Sequence, residues 1–514
     1  MGDSDKPESK TVRKINIIVS FFKKIGTIRN KINHRMEGKY SAKLIALCAA
    51  GIAAVIMVIM LFLPNYLGVA DDGSVSRIMN SAGVYYLSSD VQDNYNNYFV
   101  KTYSNVLYGF QIRDAYINSQ VLIVKAAVLL DDLLTGDVYF DIRFLGLIYG
   151  VLYVPAIYLL IKQACTRVKK FSEGIAIGFL GVLIFADVAY ITYFNSFYPE
   201  AVWYISLMYC VGAALSFQNN RTGMKDFLSL LLFVVSGIVL ITSRKQTACI
   251  GILLAVFSLK LLFARKNWMW GVICTGTAVF LTFLSLSSML QLESDFTDVS
   301  KFHAMTRGVL FESDNPGKTL KEFGIDQSYE MLTDVSAYDY LPFVESDNEI
   351  LTKDFLNQYD TKDVALYYVR HPASFLGMLD VSIKSCFGIR REYCGNYEKS
   401  VGLPQRARSI FFCAWSTFKN NTAPKTIGFL LVLVIAIIML YYRGYSLRPT
   451  KDRRNTVFLD MMVVLLLICI SQAAITIINS GDAEMVQHCF LVSYTMDIMI
   501  FYSLSEIVHK INIF

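Results

Sequence analysis

Long apolar segments, each close to 20 residues and almost free of charge, limit the folds that this chain can adopt. A helix needs about 20 apolar residues to cross the ~30 Å hydrocarbon core of a bilayer. Backbone groups in lipid must pair within their own segment, which favours helices. Hydrophobic residues make up 54% of the 514 residues, well above the usual share in soluble domains. The sequence therefore predicts an all-α polytopic membrane protein.

The pattern predicts ten spans, seven within residues 43–290 and three within residues 426–514. They lie at 43–64, 141–162, 174–193, 201–217, 227–243, 246–264, 268–290, 426–442, 456–478 and 487–508. The first apolar run begins too deep in the chain for a cleavable signal peptide and is expected to remain as an anchor. Residues 1–42 mix Ile, Val and Phe with Lys and Arg at helical spacing. They favour an amphipathic helix on an anionic membrane surface, with a disordered tail as the alternative.

The distribution of Lys and Arg sets the predicted orientation. Basic residues cluster in the short loops 162–173, 218–226 and 443–455, which the positive-inside rule places in the cytoplasm together with both termini. The net charge of +6 arises in this way and gives no indication of nucleic-acid binding. Two long polar segments then fall outside, residues 65–140 and 291–425, and loops of this size usually carry function. We refer to them as the first loop and the second loop.

Two adjacent acids follow the first span, in the stretch "GVADDGSV". Asp71 and Asp72 can serve a simple turn, since Asp and Gly favour turns and Asp or Ser can cap a helix. They can also supply a catalytic base at the membrane surface. Asp72 and Ser74 are better placed to cap a helix beginning near Val75, which makes Asp71 the preferred base.

Two cations lie on the side where the orientation rule disfavours them. In "ITSRKQTA", Arg244 and Lys245 fall in the predicted outer turn between spans 5 and 6, next to Gln246. A phosphate is a suitable partner for such a pair, because Lys and Arg bind it through charge-assisted hydrogen bonds. A misplaced turn with side chains reaching to the interface is the alternative.

Further charged residues are predicted at the same rim. Glu200 begins a helix after "YFNSFYP", where the helix dipole alone would favour a carboxylate. Glu484 and His488 are four residues apart and share one helix face, as a site or as a packing pair. In the second loop, Arg and Tyr residues suit sugars and phosphates, and a solvated loop is the alternative. These second-loop candidates are Arg370, His371, Arg391, Tyr397 and Lys399.

Known chemical motifs are few in this sequence. The ten cysteines show no zinc spacing, although Cys386 and Cys394 could pair in an oxidising compartment. The motifs of nucleotide-binding loops, Rossmann folds, serine hydrolases and zinc proteases are absent. A membrane enzyme with its acids outside would therefore need an activated lipid.

The sequence resembles the GT-C glycosyltransferases, and within them the bacterial WsfD-like hexose transferases of cell-wall glycan synthesis. The resemblance covers residues 60–500 in the stretches "ADDGSVSRIM", "FDIRFLG", "YFNSFYPE", "TSRKQ", "FHAMTRGVL", "RHPASFL", "GNYEKSVGLP" and "GDAEMVQH". It implies a multi-pass enzyme of the bacterial cell membrane that uses a polyprenyl-phosphate hexose. The implied acceptor is a cell-wall glycan or a teichoic-acid-like polymer, and membrane lipids are the other partners.

The family supplies an acid in the first loop as general base, which Asp71 or Asp72 matches here. Arg244 and Lys245 would neutralise the leaving phosphate, and Arg77 joins the binding candidates. Some GT-C enzymes also use a divalent cation such as Mg²⁺ or Mn²⁺, which Glu200 with an Asp could bind. These enzymes often carry an Arg late in the chain, where this sequence has Gln487.

Other classes remain open from the sequence. A flippase or exporter of lipid-linked glycans would need outer cations but no base, and it would be expected to carry ionisable residues within the membrane. Asp187 in the third predicted span is one of the few candidates for such a residue. A polysaccharide polymerase or ligase would differ from the first interpretation mainly in its donor.

Overall fold

The computed structural model describes residues 41–88, 90–106, 117–217, 223–265, 267–291, 298–337, 349–446, 453–483 and 485–511, together with 26–27, 30–31 and 33–34. Helices dominate these residues, with one small sheet of three strands. The predicted fold class, an all-α polytopic membrane protein, is confirmed. The amphipathic helix expected within residues 1–42 lies almost wholly outside the described residues.

Seven helical segments among the described residues are long and apolar enough to cross a membrane. They lie in the helices Ala42–Phe62, Arg143–Ala164, Gly223–Ile241, the pair Lys245–Ala248 and Ile250–Lys260, Trp268–Gln291, Arg453–Ser480 and Phe490–Ile511. A bent pair of helices, Phe171–Phe185 and Val188–Asn195, makes an eighth if it is one span. The other two predicted spans coincide with the shorter apolar helices Glu200–Leu215 and Ile427–Leu440. The latter belongs to the helix Ile427–Ser446.

The bend in the third predicted span occurs at Asp187. This residue is extended and its side chain accepts a hydrogen bond from Ala189 N (2.9 Å), so it caps the new helix Val188–Ile191. The preceding helix ends at Phe185, and the two axes differ by 43°. A side chain that competes for backbone groups interrupts the helix ladder at this point.

Shorter helices and the sheet belong mainly to the two loops. The remaining α-helices are Ser76–Ala82, Val91–Asn94, Ser119–Thr135, Asp298–Ala304, Pro316–Glu322, Glu349–Asp354, Thr361–Arg370, Pro372–Ser385, Ala414–Asn421 and Met485–His488. The helix predicted at 117–134 corresponds to Ser119–Thr135, capped by Asn118, whose side chain accepts from Val121 N. The strands Val84–Tyr85, Thr102–Asn105 and Tyr139–Asp141 pair antiparallel in that order, with Tyr103 opposite Phe140.

Backbone hydrogen bonds join the first loop to the second. Gly68 N donates to Asn396 O (3.1 Å), and Ala70 N donates to Gly395 O (2.9 Å). A Cβ on Gly395 would lie 2.2 Å from Asn97 O, which leaves room only for glycine. The stretch that follows Arg391 is therefore fixed directly beside Asp71.

Three further contacts of charged side chains fasten the second loop to the helical bundle. Arg307 clamps Asp482 through Nε (2.6 Å) and Nη2 (2.8 Å). The buried Lys419 donates to Asp497 Oδ1 (2.8 Å). Asp187 accepts from both the backbone and the hydroxyl of Ser416 (2.9 Å each). These pairs hold the loop in one position over the ends of the helices.

Candidate active site

The side chain at the centre of the candidate site is Arg391, which is 1% exposed. Its Nη1 donates to Asp72 Oδ2 (2.8 Å), and its Nη2 donates to Glu200 Oε1 (2.9 Å). The guanidinium carbon lies 3.9 Å from the centre of the Tyr198 ring, a cation–π contact. One residue of the second loop thus binds an acid of the first loop and an acid that begins a helix of the bundle.

The Tyr198 hydroxyl ties the same cluster to the backbone of the first loop. It accepts from Asp72 N (2.8 Å) and donates to Ala70 O (2.9 Å). Tyr198 precedes Glu200 by two residues, so the "YFNSFYPE" stretch supplies both a carboxylate and an aromatic support. The ring and the hydroxyl together fix the position of Asp72.

Gln487 and His488 complete the cluster from the short helix Met485–His488. With its amide nitrogen facing Asp72, Gln487 donates to Oδ2 (3.2 Å) and accepts from Arg391 Nη2 (3.1 Å). Loss of water around the ring, followed by the charges of Arg244 and Arg391, lowers the pKa of His488 to about 4. His488 is therefore neutral at physiological pH.

Both carboxylate oxygens of Asp72 are engaged in structural contacts. Burial alone would raise its pKa, but Arg391 and hydrogen bonds from Ser74 and Tyr198 hold it below the usual range. Its Oδ1 accepts from Ser74 N (3.0 Å), which closes a turn two residues ahead of the helix. The prediction that Asp72 or Ser74 caps this helix is wrong. The helix begins at Ser76, after Val75, and has no side-chain cap, because Gly73 with φ +90° turns the chain first.

Asp71 has a different environment from its neighbour. Its side chain is buried and accepts from Gly73 N (2.8 Å) and from the hydroxyl of Tyr86. Burial raises the pKa of Asp71 to about 6, and the charge of Asp72 adds to this rise, while the hydrogen bonds from Tyr86 and Gly73 oppose it. Two neighbouring carboxyl groups whose pKa values are driven apart are typical of acid–base sites.

Arg244 and Lys245 lie at the same end of the bundle as these acids. Asn118 of the first loop donates to the carbonyl of Ser243 (2.7 Å), which packs this turn against the loop. Gln246 donates to His488 O (3.2 Å). Both cations are half-buried, and neither forms an ion pair with a carboxylate that the structure describes. Their charges remain available for an anionic ligand.

Glu200 is the acid that the family resemblance suggests as a ligand for a divalent cation. Its Oε1 is bound to Arg391, and its buried Oε2 has no hydrogen-bond partner among the described residues. The described part of the chain contains no group of three His, Cys, Asp or Glu side chains that could hold a metal ion. A cation between Glu200 and Asp72 would have to displace the guanidinium of Arg391. These residues therefore do not fit a metal.

The other predicted site residues lie outside this cluster or are peripheral to it. Arg77 and Arg370 are exposed, and Lys399 forms an exposed ion pair with Asp93 (2.6 Å). His371 stacks on Tyr367 with ring centres 4.3 Å apart. Tyr397 is half-buried and its carbonyl accepts from Phe99 N (2.9 Å).

Two further predictions concern residues in and near the second loop. Glu484 lies outside the described residues, so its proposed pairing with His488 cannot be placed. Cys386 and Cys394 are both buried free thiols, so the disulfide considered for them is not formed.

Three members of the cluster were not recognised from the sequence as site residues. Tyr86 and Tyr198 belong to ordinary aromatic stretches. Aromatic side chains are common at membrane interfaces, so they do not by themselves predict a site. Gln487 was read as a departure from a family pattern, although its amide bridges Asp72 and Arg391. The order of the motifs is the sequence signal that could have identified these three residues. It places all these stretches in loops or helix ends on one predicted side of the membrane.

Comparison with known proteins adds a family and one relative. A family model described as the YfdI N-terminal transmembrane domain matches residues 28–514. The uncharacterized protein YfdI of Escherichia coli K12 is 22% identical over 398 residues, which cover 77% of this chain and 82% of that protein. No solved structure matches the chain significantly.

Proposed function

The chain belongs to the YfdI N-terminal transmembrane domain family, and we propose that it is a membrane glycosyltransferase that moves a hexose from a polyprenyl-phosphate donor to a glycan acceptor. The observation that carries the proposal is the asymmetry of the acid pair. Asp71 is buried, has no ion-pair partner among the described residues and has a pKa of about 6. Asp72 is locked to Arg391.

The acceptor hydroxyl is the group on which Asp71 would act. Asp71 takes the proton from this hydroxyl as its oxygen attacks the anomeric carbon of the donor sugar. General bases work best when their pKa lies near the operating pH, which suits a carboxylate shifted to about 6. Tyr86 holds one oxygen of Asp71 and Gly73 N holds the other, so the carboxylate is fixed in orientation.

Polyprenyl phosphate is the leaving group of the same step. The bond from the anomeric carbon to the phosphate oxygen breaks as the new glycosidic bond forms, and negative charge builds on the phosphate. Arg244 and Lys245 stabilise this charge, since neither forms a direct ion pair with a carboxylate among the described residues. The step needs no covalent enzyme intermediate.

Arg391 bridges two carboxylates of the site, a role that a metal ion could otherwise fill. Its two ion pairs use the carboxylates that a divalent cation would need. We infer that transfer continues in the presence of a chelator, in contrast to the Mg²⁺- or Mn²⁺-dependent members of the GT-C group. Labelled transfer measured with and without EDTA tests this directly.

Both loops, by the Lys and Arg distribution, face the outside of the bacterial cell membrane, with both termini in the cytoplasm. The acceptor is then a cell-wall glycan or a teichoic-acid-like polymer of the cell surface. No specific observation favours export of lipid-linked glycans instead. Asp187, one of the few intramembrane charges that such a protein could use, accepts hydrogen bonds from Ala189 and Ser416 and serves the helix bend.

The proposal is tested with membranes that contain the protein and a polyprenyl-phosphate hexose labelled in the sugar. The expected result is label in a glycan product, with release of polyprenyl phosphate. The same membranes carrying Asp71→Asn should bind the donor and form almost no product. Equal product from the two preparations would remove Asp71 as the base.

A further inference from the structure

A cavity of about 170 Å³ lies in the second loop, away from the Asp71 cluster. Glu322, Phe323, Gln358, Tyr367 and Arg370 contribute to its lining. The volume is well below the roughly 300–1,000 Å³ of sites for drug-sized ligands. It suits one small ring.

The helix Thr361–Arg370 builds one wall of this cavity. Its lining residues Asp363, Leu366, Tyr367 and Arg370 are spaced i, i+3, i+4 and i+7, which places them on a single helix face. The opposite wall is formed where the helix Pro316–Glu322 ends. The cavity is therefore built from two regular elements.

Aromatic rings provide the apolar part of the lining. Phe323 and Tyr367 lie with ring centres 5.7 Å apart, and His371 stacks against Tyr367 at 4.3 Å. Tyr367 is buried and Phe323 is half-buried, so their positions are fixed by packing. The two ring planes are tilted by 43°, and the half-buried Phe323 offers the more accessible apolar surface to a ligand.

Polar groups around the rings are planar and can each make two hydrogen bonds. Glu322 supplies a carboxylate, Gln358 an amide and Arg370 a guanidinium, and all three side chains are exposed. Adjacent hydroxyl groups of a sugar match such two-pronged partners. With Asp363, the lining has two carboxylates against one guanidinium, which disfavours a phosphate or an acidic sugar.

We propose that this cavity is a saccharide subsite that holds one neutral hexose unit of the acceptor glycan. The inference rests on the proposed glycosyl transfer and adds the place where the acceptor binds. Apolar rings would contact the C–H face of the sugar, while Glu322, Gln358 and Arg370 bind its hydroxyl groups.

A short path of packed residues connects this subsite with the acid pair. Tyr368, on the other side of the same helix, has its hydroxyl 3.1 Å from the position of a Cβ on Gly308. The neighbouring Arg307 clamps Asp482, in the segment that continues to Gln487 beside Asp72. The wall of the subsite is thus joined through packed residues to the segment that carries Gln487.

Steady-state kinetics with separate variation of donor and acceptor tests the subsite. Arg370→Ala and Glu322→Gln should each raise the acceptor KM by roughly 10-fold, the loss of one charge-assisted contact. The donor KM and the kcat at saturating acceptor should not change. Lys362→Ala is the matched control, because this exposed residue of the same helix does not line the cavity. An unchanged acceptor KM in both variants overturns the subsite.

Direct binding separates this inference from the proposed function. Saturation-transfer NMR on the detergent-solubilised full chain, with the methyl glycosides of glucose, galactose and mannose as probes, needs no turnover. At least one probe should show transfer that Arg370→Ala abolishes and Lys362→Ala retains. Binding without hexose transfer would reject the proposed function but retain a saccharide site. Absence of signal for all three probes, or equal signals in wild type and Arg370→Ala, rejects the subsite.

Discussion

Arg391 donates a 2.8 Å hydrogen bond to Asp72, a residue 319 positions earlier in the chain. This contact makes one site from two loops that the sequence separates by six predicted spans. It also divides the work of the acid pair. Asp72 neutralises a buried guanidinium, and in the proposed mechanism Asp71 keeps a carboxylate for proton transfer.

Asp71→Asn should abolish transfer and leave the fold intact. Loss of a general base costs roughly 10²–10⁴-fold in rate. The Asn side chain can still accept from Gly73 N, so thermal unfolding should change little. Turnover and melting temperature of the purified protein are the measurements, and donor binding is the control for an intact site.

Asp72→Asn should give the opposite pattern. It removes a counter-charge from a guanidinium that is 1% exposed, and breaking a buried pair costs about 3–5 kcal/mol. Glu200 remains beside Arg391, which keeps the loss at or below the lower end of this range. If Asp72→Asn abolishes turnover at unchanged melting temperature while Asp71→Asn stays active, the base is Asp72.

The pH dependence of kcat/KM should show an acid limb near the pKa of Asp71, about 6. A base must be deprotonated, so activity falls as the pH drops through this value. Tyr86→Phe removes a hydrogen bond that favours the charged carboxylate. The pKa of Asp71 then rises, and the limb should move to higher pH. A limb that stays in place in Tyr86→Phe would show that Tyr86 does not tune the base.

Arg244→Ala and Lys245→Ala should each weaken use of the donor by on the order of 10–100-fold, from ~1.5–3 kcal/mol per charge-assisted contact. The effect should appear in the donor KM and leave the acceptor KM nearly unchanged. Lys399→Ala is a matched control, since its exposed ion pair with Asp93 lies outside the Arg391 cluster. Normal donor affinity in both variants would remove this assignment.

Much of the helical framework could be predicted from hydropathy. Each of the ten predicted spans coincides with a helix, because a long apolar run has few other structures available in lipid. The bend at Asp187 was not predicted, since a single Asp in an apolar run gives no sign of whether it caps a new helix or faces a partner. Ser416, which binds it, is 229 residues away.

The candidate site was predicted in part. The residues Asp71, Asp72, Glu200, Arg244 and Arg391 were all named from local patterns, yet nothing in those patterns pairs Arg391 with Asp72 and Glu200. Such pairing depends on how the loops dock, and the docking depends on close contacts at Gly68 and Gly395. The capping role given to Asp72 failed for a local reason, the left-handed turn at Gly73.

The predicted orientation has its own test. A cysteine introduced at Lys353, an exposed residue of the second loop, should react with a membrane-impermeant maleimide added to intact cells. The described part of the chain offers few competing thiols, since eight of its ten cysteines are buried and Cys249 is half-buried. Reaction only after the cytoplasmic side is opened would place both loops inside.

The most direct test of the central claim is transfer from a polyprenyl-phosphate hexose with label in its sugar, using purified protein in vesicles and a cell-surface glycan acceptor. Wild type should move the label to the glycan and release polyprenyl phosphate, and Asp71→Asn should bind the lipid without transfer. Label that only crosses the bilayer while still attached to the lipid would contradict the account. Full transfer by Asp71→Asn, Asp72→Asn and the double variant would contradict it equally.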